Sequence, residues 1–507
     1  MNTDSSHTAK DHTPEMEFSE LKRKSLTGIG SLLQRQILGS GIMFLGNIIL
    51  ARILMPQVFG IYAIVAFIVQ FFSIFSDVGI GASLIQKKER LNAAEVSTLF
   101  WLQQMLALAL AVIVFAAAPL ALRVYPSLPE VSVWLIRSMA VTFLLTSLKT
   151  VPAILMERDL NFQRIAIVEI SEAFVFQATA ITLALAGFDV WSFIIAALLR
   201  GLIGAVLIYS LSSWRPSRLY QPGSVKELLR FGLPYQGTSI LSFIKDSVTP
   251  LFVGAYVGAA AVGYVNWARD FAYAPLVLSQ SFGRVAFPSF AKLQHDKARL
   301  KDAIERSIRM ITFVMFPITA IMMVFAPDLI RIIFSEKWLP GITAYYFYCI
   351  SPAGVGIFMP LGNAIFSLGL SHIYFFLTIV LVFFEWGFGI PLILKFGFAG
   401  VAMTLPITAP VFTYLYWRIL RSQGVSINIF RNIGWQFAAA CASSALASLL
   451  YYGLFPYKNY ALIFIPIASF FLAALYLAIL RKYQKSLLEE FQSYIKDIFT
   501  RNTDGQP

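Results

Sequence analysis

Apolar runs about twenty residues long alternate with short polar stretches along all 507 residues of the chain. A helix of about 20 apolar residues crosses the hydrocarbon core of a bilayer. The pattern therefore predicts fourteen membrane-spanning helices. Their expected bounds are about 28–51, 58–85, 94–118, 131–155, 167–187, 190–211, 234–256, 260–288, 308–327, 341–368, 372–394, 397–419, 433–453 and 460–480. The segment 341–368 is the least regular, because Pro352, Pro360 and several glycines interrupt it.

Composition agrees with this pattern. Hydrophobic residues make up 58% of the chain and charged residues only 13%, whereas a soluble domain has about 25% charged residues. We therefore expect an all-α, polytopic integral membrane protein with no sizeable soluble domain. Cys349 and Cys441 are the only cysteines, and neither they nor the four histidines have the spacing of a metal site. No cofactor is predicted.

The positive charges predict the orientation of the helices. With the N-terminus inside, and with Arg309 and Arg418 at the inner edges of their spans taken as inside, 27 of the 40 Lys and Arg fall in inside segments, 6 in outside loops and the remaining 7 within spans. Such an excess of basic residues on one side is typical of cytosolic loops. Both termini are therefore predicted to be cytosolic. The net charge of +13 is explained by topology and does not require a nucleic-acid partner.

A weak internal repeat suggests two lobes. ILARILMPQVFGIY at 49–62 aligns with FVGAYVGAAAVGYV at 252–265, an offset of 203 residues. Repeated halves around a central site are the usual build of secondary transporters. With the longest polar gap at 212–233 as the boundary, we predict the following organisation: a polar cytosolic tail at 1–25, an N-lobe at 26–212, a C-lobe at 213–422, two further helices at 423–481 and a cytosolic tail at 482–507.

Several segments resemble the Wzx-type polysaccharide flippases of the multidrug/oligosaccharidyl-lipid/polysaccharide exporter superfamily. The longest is ARILMPQVFGIYAIVAFIVQFFSIFSDVGIGASLIQKK at 51–88. Others follow in order: ERDLNFQRIA at 157–166, FDVWSF at 188–193, VGAAAVGYVNWARDFAYAPL at 257–276, RVAFPSFAKLQHD at 284–296, FPITA at 316–320 and FSEKWLPG at 334–341. The resemblance covers roughly 25–420 and is nearest to the exopolysaccharide and colanic-acid-like branch.

The resemblance implies a bacterial inner-membrane protein with two six-helix lobes around a central cavity. Its substrate would be an oligosaccharide repeat unit on undecaprenyl pyrophosphate, moved to the outer leaflet by alternating access. Besides this lipid-linked oligosaccharide and the membrane lipids, a polysaccharide polymerase and glycosyltransferases of the same pathway are the expected partners. No nucleic acid is expected among them.

Charged residues within the apolar segments are the candidates for substrate contact, because a charge at the centre of a bilayer costs about 3 kcal/mol on insertion scales. In the eighth helix, i, i+3, i+4 and i+7 spacing places four polar residues on one face: Asn266, Arg269, Asp270 and Tyr273. The seventh helix has a similar stripe, composed of Ser239, Ser242, Asp246 and Thr249. In the first helix, Ser31 and Arg35 share a face with Gly39 and Gly46. We expect these faces to line the cavity.

Arginine suits a pyrophosphate because its planar guanidinium makes bidentate, charge-assisted hydrogen bonds. We therefore expect Arg35 and Arg269 to contact the pyrophosphate. Two other interpretations remain open: Arg35 could extend to the cytosolic interface, and Arg269 could pair with Asp246 or Asp270 within the membrane.

Asp77, Lys245 and Glu385 are candidates for ion coupling or gating, with H⁺ or Na⁺ as the coupled ion. The alternatives are a helix-end hydrogen bond for Asp77 and a satisfied interhelical carboxylate for Glu385. Lys245 and Asp246 lie about 100° apart on a helix, so we expect one to face the cavity and the other to pair across helices. Pro250 is a candidate hinge, because proline removes a backbone donor.

Other charged residues are expected near the cytosolic surface. Glu169 and Glu172 are predicted at the interface, as is Arg284. The basic stretch 292–307 predicts an amphipathic helix against the lipid headgroups.

Two other function classes compete with the flippase. A cation-coupled multidrug antiporter would share the fold, but the central helices here carry fixed positive charges, which favour an anionic substrate. A membrane polysaccharide polymerase would need a long outward loop with catalytic Arg or His, and the outside loops here are short and lack histidine. No GxSxG or Walker-type pattern appears either, so we do not expect an enzyme.

Overall fold

The computed structural model describes residues 38–77, 84, 92–218, 240–241, 243–454 and 461–493, and their regular secondary structure is helical. We number fifteen helices: α1 Leu38–Ile53, α2 Pro56–Asp77, α3 Ala93–Ala117, α4 Ser132–Arg158, α5 Phe162–Leu185, α6 Val190–Leu211, α7 243–256, α8 Ala259–Tyr273, α9 Leu276–Leu293, α10 Lys297–Val324, α11 Ile342–Ser367, α12 Ser371–Phe396, α13 Leu405–Ser422, α14 Ile429–Leu454 and α15 Ala461–Tyr483. Short helical turns connect some of them, at Ala118–Leu120, Ala121–Val124, Ala326–Ile333, Glu336–Gly341 and Ala399–Ala402.

The all-α, polytopic membrane fold predicted from the sequence is confirmed. In the described part of the chain, eleven helices are long and apolar enough to cross a membrane, and Leu38–Ile53 is a shorter apolar helix. Each of the fourteen predicted segments contains helix. The predicted eighth helix is two helices, because the chain turns at Ala274–Pro275 between α8 and α9.

The chain divides into two compact units. Unit 1 comprises Met1–Ile53, Val65–Ala121 and Glu130–Ile240, and unit 2 comprises Leu54–Ile64, Leu122–Pro129 and Leu241–Pro507. The first nine residues of α2 therefore belong to unit 2, whereas the sequence placed all of 26–212 in one lobe.

Unit 1 is built around the packing of α4 with α3 and α6, and of α5 with α6. Polar contacts also join its helices. Gln177 of α5 donates to Asn47 Oδ1 of α1 at 3.2 Å, and Ser147 of α4 donates to Gln104 of α3 at 2.9 Å.

Unit 2 is centred on α11, which packs against α8, α9, α10 and α13. The proline-interrupted segment 341–368 thus forms one helix, because its neighbours bury it despite the lost hydrogen bonds. The hairpin of α14 and α15 packs on α10 through buried residues that include Phe313, Tyr476 and Leu480.

The prediction of a separate surface helix at 292–307 is wrong. Most of this stretch is the first part of α10, which continues without a break into the membrane span. Its apolar residues Leu300 and Ile304 are fully buried against Leu420 and Val425. Glu305 is 3% exposed and accepts a hydrogen bond from the Asn428 backbone at 3.0 Å. The amphipathic face therefore packs on protein and not on lipid headgroups.

Candidate functional site

The charged residues of α7 contact each other. Lys245 Nζ donates to Asp246 Oδ1 at 2.7 Å, and the Asp246 side chain is 65% exposed. The sequence argument expected one of the two to pair across helices instead. The long lysine side chain can bend back to the next residue, so the angular separation of two neighbours does not prevent their contact.

The charged residues of α8 form a second neighbouring pair. Arg269 Nε lies 3.4 Å from Asp270 Oδ1, and the Asp270 side chain is 64% exposed. The opposite side of the helix is buried, as shown by Val265, Ala268 and Ala272. The interpretation of Arg269 as part of an Asp270 pair therefore describes the structure, and the pair lies on an accessible face.

Glu385 of α12 lies near the α7 pair. The indole of the next residue, Trp386, donates to the carbonyl of Ile244 at 3.1 Å, which fixes α12 beside α7. Glu385 interacts electrostatically with both Lys245 and Asp246. Tyr273 of α8 interacts electrostatically with Arg269, Glu385 and Lys245, so three carboxylates and two cations are grouped on α7, α8 and α12 of unit 2.

Aromatic residues extend this group towards α11. The ring centroids of Tyr273 and Tyr348 are 5.8 Å apart in an edge-to-face arrangement, and Tyr273 has a side-chain hydrogen bond with Ser351. Ser351 and Glu385 both line a cavity of about 370 Å³ within unit 2. The wall of this cavity is mainly apolar, with polar groups contributed by Asn363, Thr408, Tyr374 and Tyr416.

The charged pairs of α7 and α8 lie at similar distances from the turn that joins the two helices. Arg269 is ten residues beyond Ala259, about 15 Å along α8 at 1.5 Å per residue. Lys245 is eleven residues before Tyr256, about 16 Å from the same turn. The predicted topology puts this turn at the outer surface of the membrane, and in a hydrocarbon core about 30 Å thick both pairs would then lie near the middle. Ionised groups at that depth normally face water or a partner.

Some predicted site residues fall outside the described part of the structure. Ser31, Arg35, Ser239 and Ser242 lie outside the described residues. Asp77 ends α2 and Arg284 lies in α9, but their side chains are not described.

Other predicted residues are placed differently from the expectation. Thr249 is buried, so the polar stripe of α7 is not uniformly accessible. Gly46 is buried against Gln177 of α5, while Asn266 lies half-buried on the face of Arg269. Pro250 lies in a π-helical turn at Thr249–Val253.

A second charged group, in unit 1, was missed by the sequence argument. Glu172 of α5 is a buried carboxylate, with 7% of its side chain exposed. It accepts a hydrogen bond from Lys149 of α4 and lies 3.4 Å from Arg200 Nε of α6. The expectation that Glu172 lies at the interface is therefore wrong. The mid-span positions of Lys149 and Arg200 were the available signal.

Among the described residues, no three His, Cys, Asp or Glu side chains are grouped so that they could hold a metal ion. The accessible acidic and basic side chains instead offer ionic and hydrogen-bonding contacts to a polar solute. Charged groups packed among helices that are long and apolar enough to cross a bilayer define a class: a polytopic membrane protein built to accommodate a charged or polar solute within the membrane.

The chain belongs to the family described as "Polysaccharide biosynthesis protein", whose model matches residues 49–343. It is 27% identical to lipopolysaccharide biosynthesis protein WzxC of Escherichia coli (strain K12), over 69% of this chain and 70% of the relative. It is 29% identical to succinoglycan biosynthesis transport protein ExoT of Rhizobium meliloti (strain 1021), over 59% of this chain and 60% of the relative. The resemblance to polysaccharide flippases is thereby confirmed.

The fold is shared with a solved structure, lipid II flippase MurJ in an inward closed conformation. The TM-score is 0.71 with 14% sequence identity, and the match covers 91% of this chain and all of MurJ. At this identity the likeness establishes the fold.

Proposed function

We propose that the protein carries oligosaccharide repeat units, linked to undecaprenyl pyrophosphate, across the bacterial inner membrane for exopolysaccharide or lipopolysaccharide export. The observation that carries this proposal is the family match over residues 49–343. Relatives named for lipopolysaccharide biosynthesis and succinoglycan transport, and the fold of a lipid II flippase, support it. The protein moves its substrate without changing it covalently.

The chemistry of α8 suits the headgroup of such a substrate. A pyrophosphate is a concentrated anion, and the guanidinium of Arg269 can form two parallel hydrogen bonds to it. The Asp270 partner holds Arg269 until the substrate arrives. Arg35 lies outside the described residues, and its contact with pyrophosphate stays a prediction from the sequence. Tyr273 offers an aromatic face to a sugar ring, and the buried Tyr348 packs edge-to-face against it.

Alternating access requires a helix that can bend. Pro250 removes one backbone hydrogen bond from α7, and the turn around it is π-helical. Such turns occur frequently at functional sites. We therefore keep Pro250 as the proposed hinge, four residues beyond the charged pair that would move with it.

Glu385 is proposed to bind the ion that drives transport. Asp246 and Asp270 each have a neighbouring cation, so the group of five charges carries one negative charge in excess. An H⁺ or Na⁺ bound at Glu385 would balance it. Asp77 is the remaining candidate for gating.

The test is deletion of the gene, followed by lipid extraction and measurement of surface polysaccharide. We expect undecaprenyl-pyrophosphate-linked repeat units to accumulate in the inner leaflet while surface polysaccharide disappears. The wild-type gene should reverse both effects. Normal surface polysaccharide together with altered drug sensitivity would overturn the proposal in favour of a multidrug antiporter.

A further inference from the structure

The charged network of unit 1 lies at one depth on three helices. Lys149 is nine residues before the end of α4, Glu172 ten residues after the start of α5, and Arg200 eleven residues before the end of α6. At 1.5 Å per residue these positions are about 14, 15 and 17 Å from helix ends that consecutive antiparallel spans place on the same side. All three are therefore near the middle of a bilayer core about 30 Å thick.

The network is built closely around Glu172. A Cβ at Gly204, one turn beyond Arg200, would overlap Glu172 Oε1 and would lie 3.0 Å from Lys149 Cδ. Glycine at this position therefore makes room for the Lys149–Glu172 pair. Both members of the pair are largely buried, and their charges cancel each other.

Arg200 carries the positive charge that remains. Its side chain is 46% exposed, and its contact with Glu172 is long, 3.4 Å through Nε. That contact uses one of the five N–H donors of the guanidinium. In the described part of the chain, Glu172 is the one carboxylate within ion-pair distance of Arg200. A half-exposed cation at this depth would be costly against lipid, which favours contact of the Arg200 guanidinium with water or with an anion.

We propose that Arg200 binds an oxyanion of the transported molecule, a phosphate or a sugar carboxylate, and that Glu172 holds Arg200 in position when the anion is absent. Lys149 neutralises Glu172, so an arriving oxyanion meets a net positive network. The guanidinium can pair with the planar oxygens of either group. The inference rests on the proposed function, to which it adds a binding residue in unit 1.

A purely structural ion network would behave differently. It would need Lys149 and Glu172 but not the accessible Arg200, because breaking a buried pair leaves an uncompensated charge. We therefore compare Arg200→Gln and Arg200→Lys with Lys149→Gln. The matched control is Arg137→Gln, since the Arg137 guanidinium is already engaged by the Phe115 carbonyl at 3.2 Å and lies over two aromatic rings.

Binding is measured on the purified full chain in a neutral detergent by thermal unfolding with added anions. The probes are inorganic pyrophosphate and glucuronate, with glucose and matched KCl as references. We expect wild type and Arg137→Gln to be stabilised by at least one anion, and Arg200→Gln to bind it about tenfold more weakly or worse. Arg200→Lys should bind with intermediate strength. Response to pyrophosphate alone identifies a phosphate, and response to glucuronate a sugar carboxylate.

The same variants are then expressed in the deletion strain. Arg200→Gln should be present at normal levels, unfold near the wild-type temperature without anion and give little surface polysaccharide. If Arg200→Gln binds both anions as wild type does, or loses stability as Lys149→Gln does, the anion role is wrong. Rescue by wild type tests the proposed function separately, so the two failures can be told apart.

Discussion

Arg269 is the residue whose loss should affect transport most directly. We expect Arg269→Ala to reduce surface polysaccharide more than about tenfold, because charge-assisted hydrogen bonds to a diphosphate cannot be replaced by alanine. Arg269→Lys should retain part of the activity, since lysine keeps the charge but not the bidentate geometry. The readout is polysaccharide yield in the deletion strain, normalised to the amount of protein in the membrane.

The control for this experiment is Arg299→Gln. Arg299 is also adjacent to an aspartate, with its Nε 3.3 Å from Asp296 Oδ2, but its side chain is largely exposed at the start of α10. It should support normal transport. Full activity of Arg269→Ala at normal protein levels would remove Arg269 from the substrate site.

Glu385 should determine the response of transport to its coupled ion. The group of five charges that includes Glu385 carries one excess negative charge. Replacement of Glu385 by the neutral glutamine removes this charge, and with it the attraction for a cation. We expect Glu385→Gln to transport slowly and to lose the dependence on external H⁺ or Na⁺ that wild type shows. Surface polysaccharide is measured across a series of pH and Na⁺ concentrations. An unchanged dependence in Glu385→Gln would assign coupling to another group.

Some residue-level features follow from spacing alone. The i, i+3, i+4, i+7 rule places Asn266, Arg269, Asp270 and Tyr273 on one face of α8, where Asp270 is exposed and the other three are half-buried. It did not bring Lys149, Glu172 and Arg200 together, because they lie on three helices and their proximity depends on how the helices pack. The mid-span positions of Lys149 and Arg200 signal that each needs a partner, but a single sequence does not show that the partner is Glu172.

At the scale of elements, α2 and α8 cross closely within unit 2. A Cβ at Gly60 would overlap the carbonyl oxygen of Ala259, and a Cβ at Gly263 would overlap that of Pro56. Each helix thus places a glycine against a backbone carbonyl of the other. The two glycines, Gly60 and Gly263, are 203 residues apart, and so are the two carbonyl residues, Pro56 and Ala259. This is the offset of the internal repeat, so the two repeated segments meet at equivalent positions.

Substitutions at this crossing test its tightness. Gly60→Ala or Gly263→Ala should destabilise the protein by about 1–3 kcal/mol, because the added methyl forces the two backbones apart. Leucine at either position should destabilise the protein more than alanine does. The measurement is thermal unfolding of the purified protein in detergent. Gly434→Ala in α14 is the control: its Cβ would meet nothing within 4 Å, so it should be neutral or slightly stabilising.

The outcome for Gly60 distinguishes packing from backbone conformation. Both glycines lie inside helices, where alanine is otherwise preferred by about 1 kcal/mol. If both alanine variants are as stable as wild type, the helices are not in contact at these positions in the membrane.

Helix bounds were predictable to within a few residues wherever an apolar run ended at a polar turn, as for α3, α6 and α14. They were not predictable where amphipathic and apolar segments join. Polar and charged residues up to Arg309 suggested a separate surface helix before the span, but Leu300 and Ile304 bury one face and let α10 continue. Hydropathy measures the composition of a segment. It does not show whether protein or lipid covers the apolar face of an amphipathic helix.

At the scale of the whole molecule, the fold requires that consecutive spans alternate in direction. Fourteen predicted crossings place both termini on one side, and the excess of Lys and Arg assigns that side to the cytosol. The α4–α5 turn at Asp159–Asn161 should then be cytosolic, and the α5–α6 turn at Ala186–Asp189 should face the periplasm.

Reporter fusions test this arrangement. Green fluorescent protein at the C-terminus should fluoresce, whereas alkaline phosphatase inserted after Gly187 should be active because it folds only when exported. An insertion at His295, in the turn between α9 and α10, should give an inactive phosphatase. Active phosphatase at His295 would invert the topology, and with it the side from which Arg200 and Arg269 meet the substrate. A dark C-terminal fusion combined with the expected signals at Gly187 and His295 would instead mean an odd number of crossings between His295 and the C-terminus, counting α10.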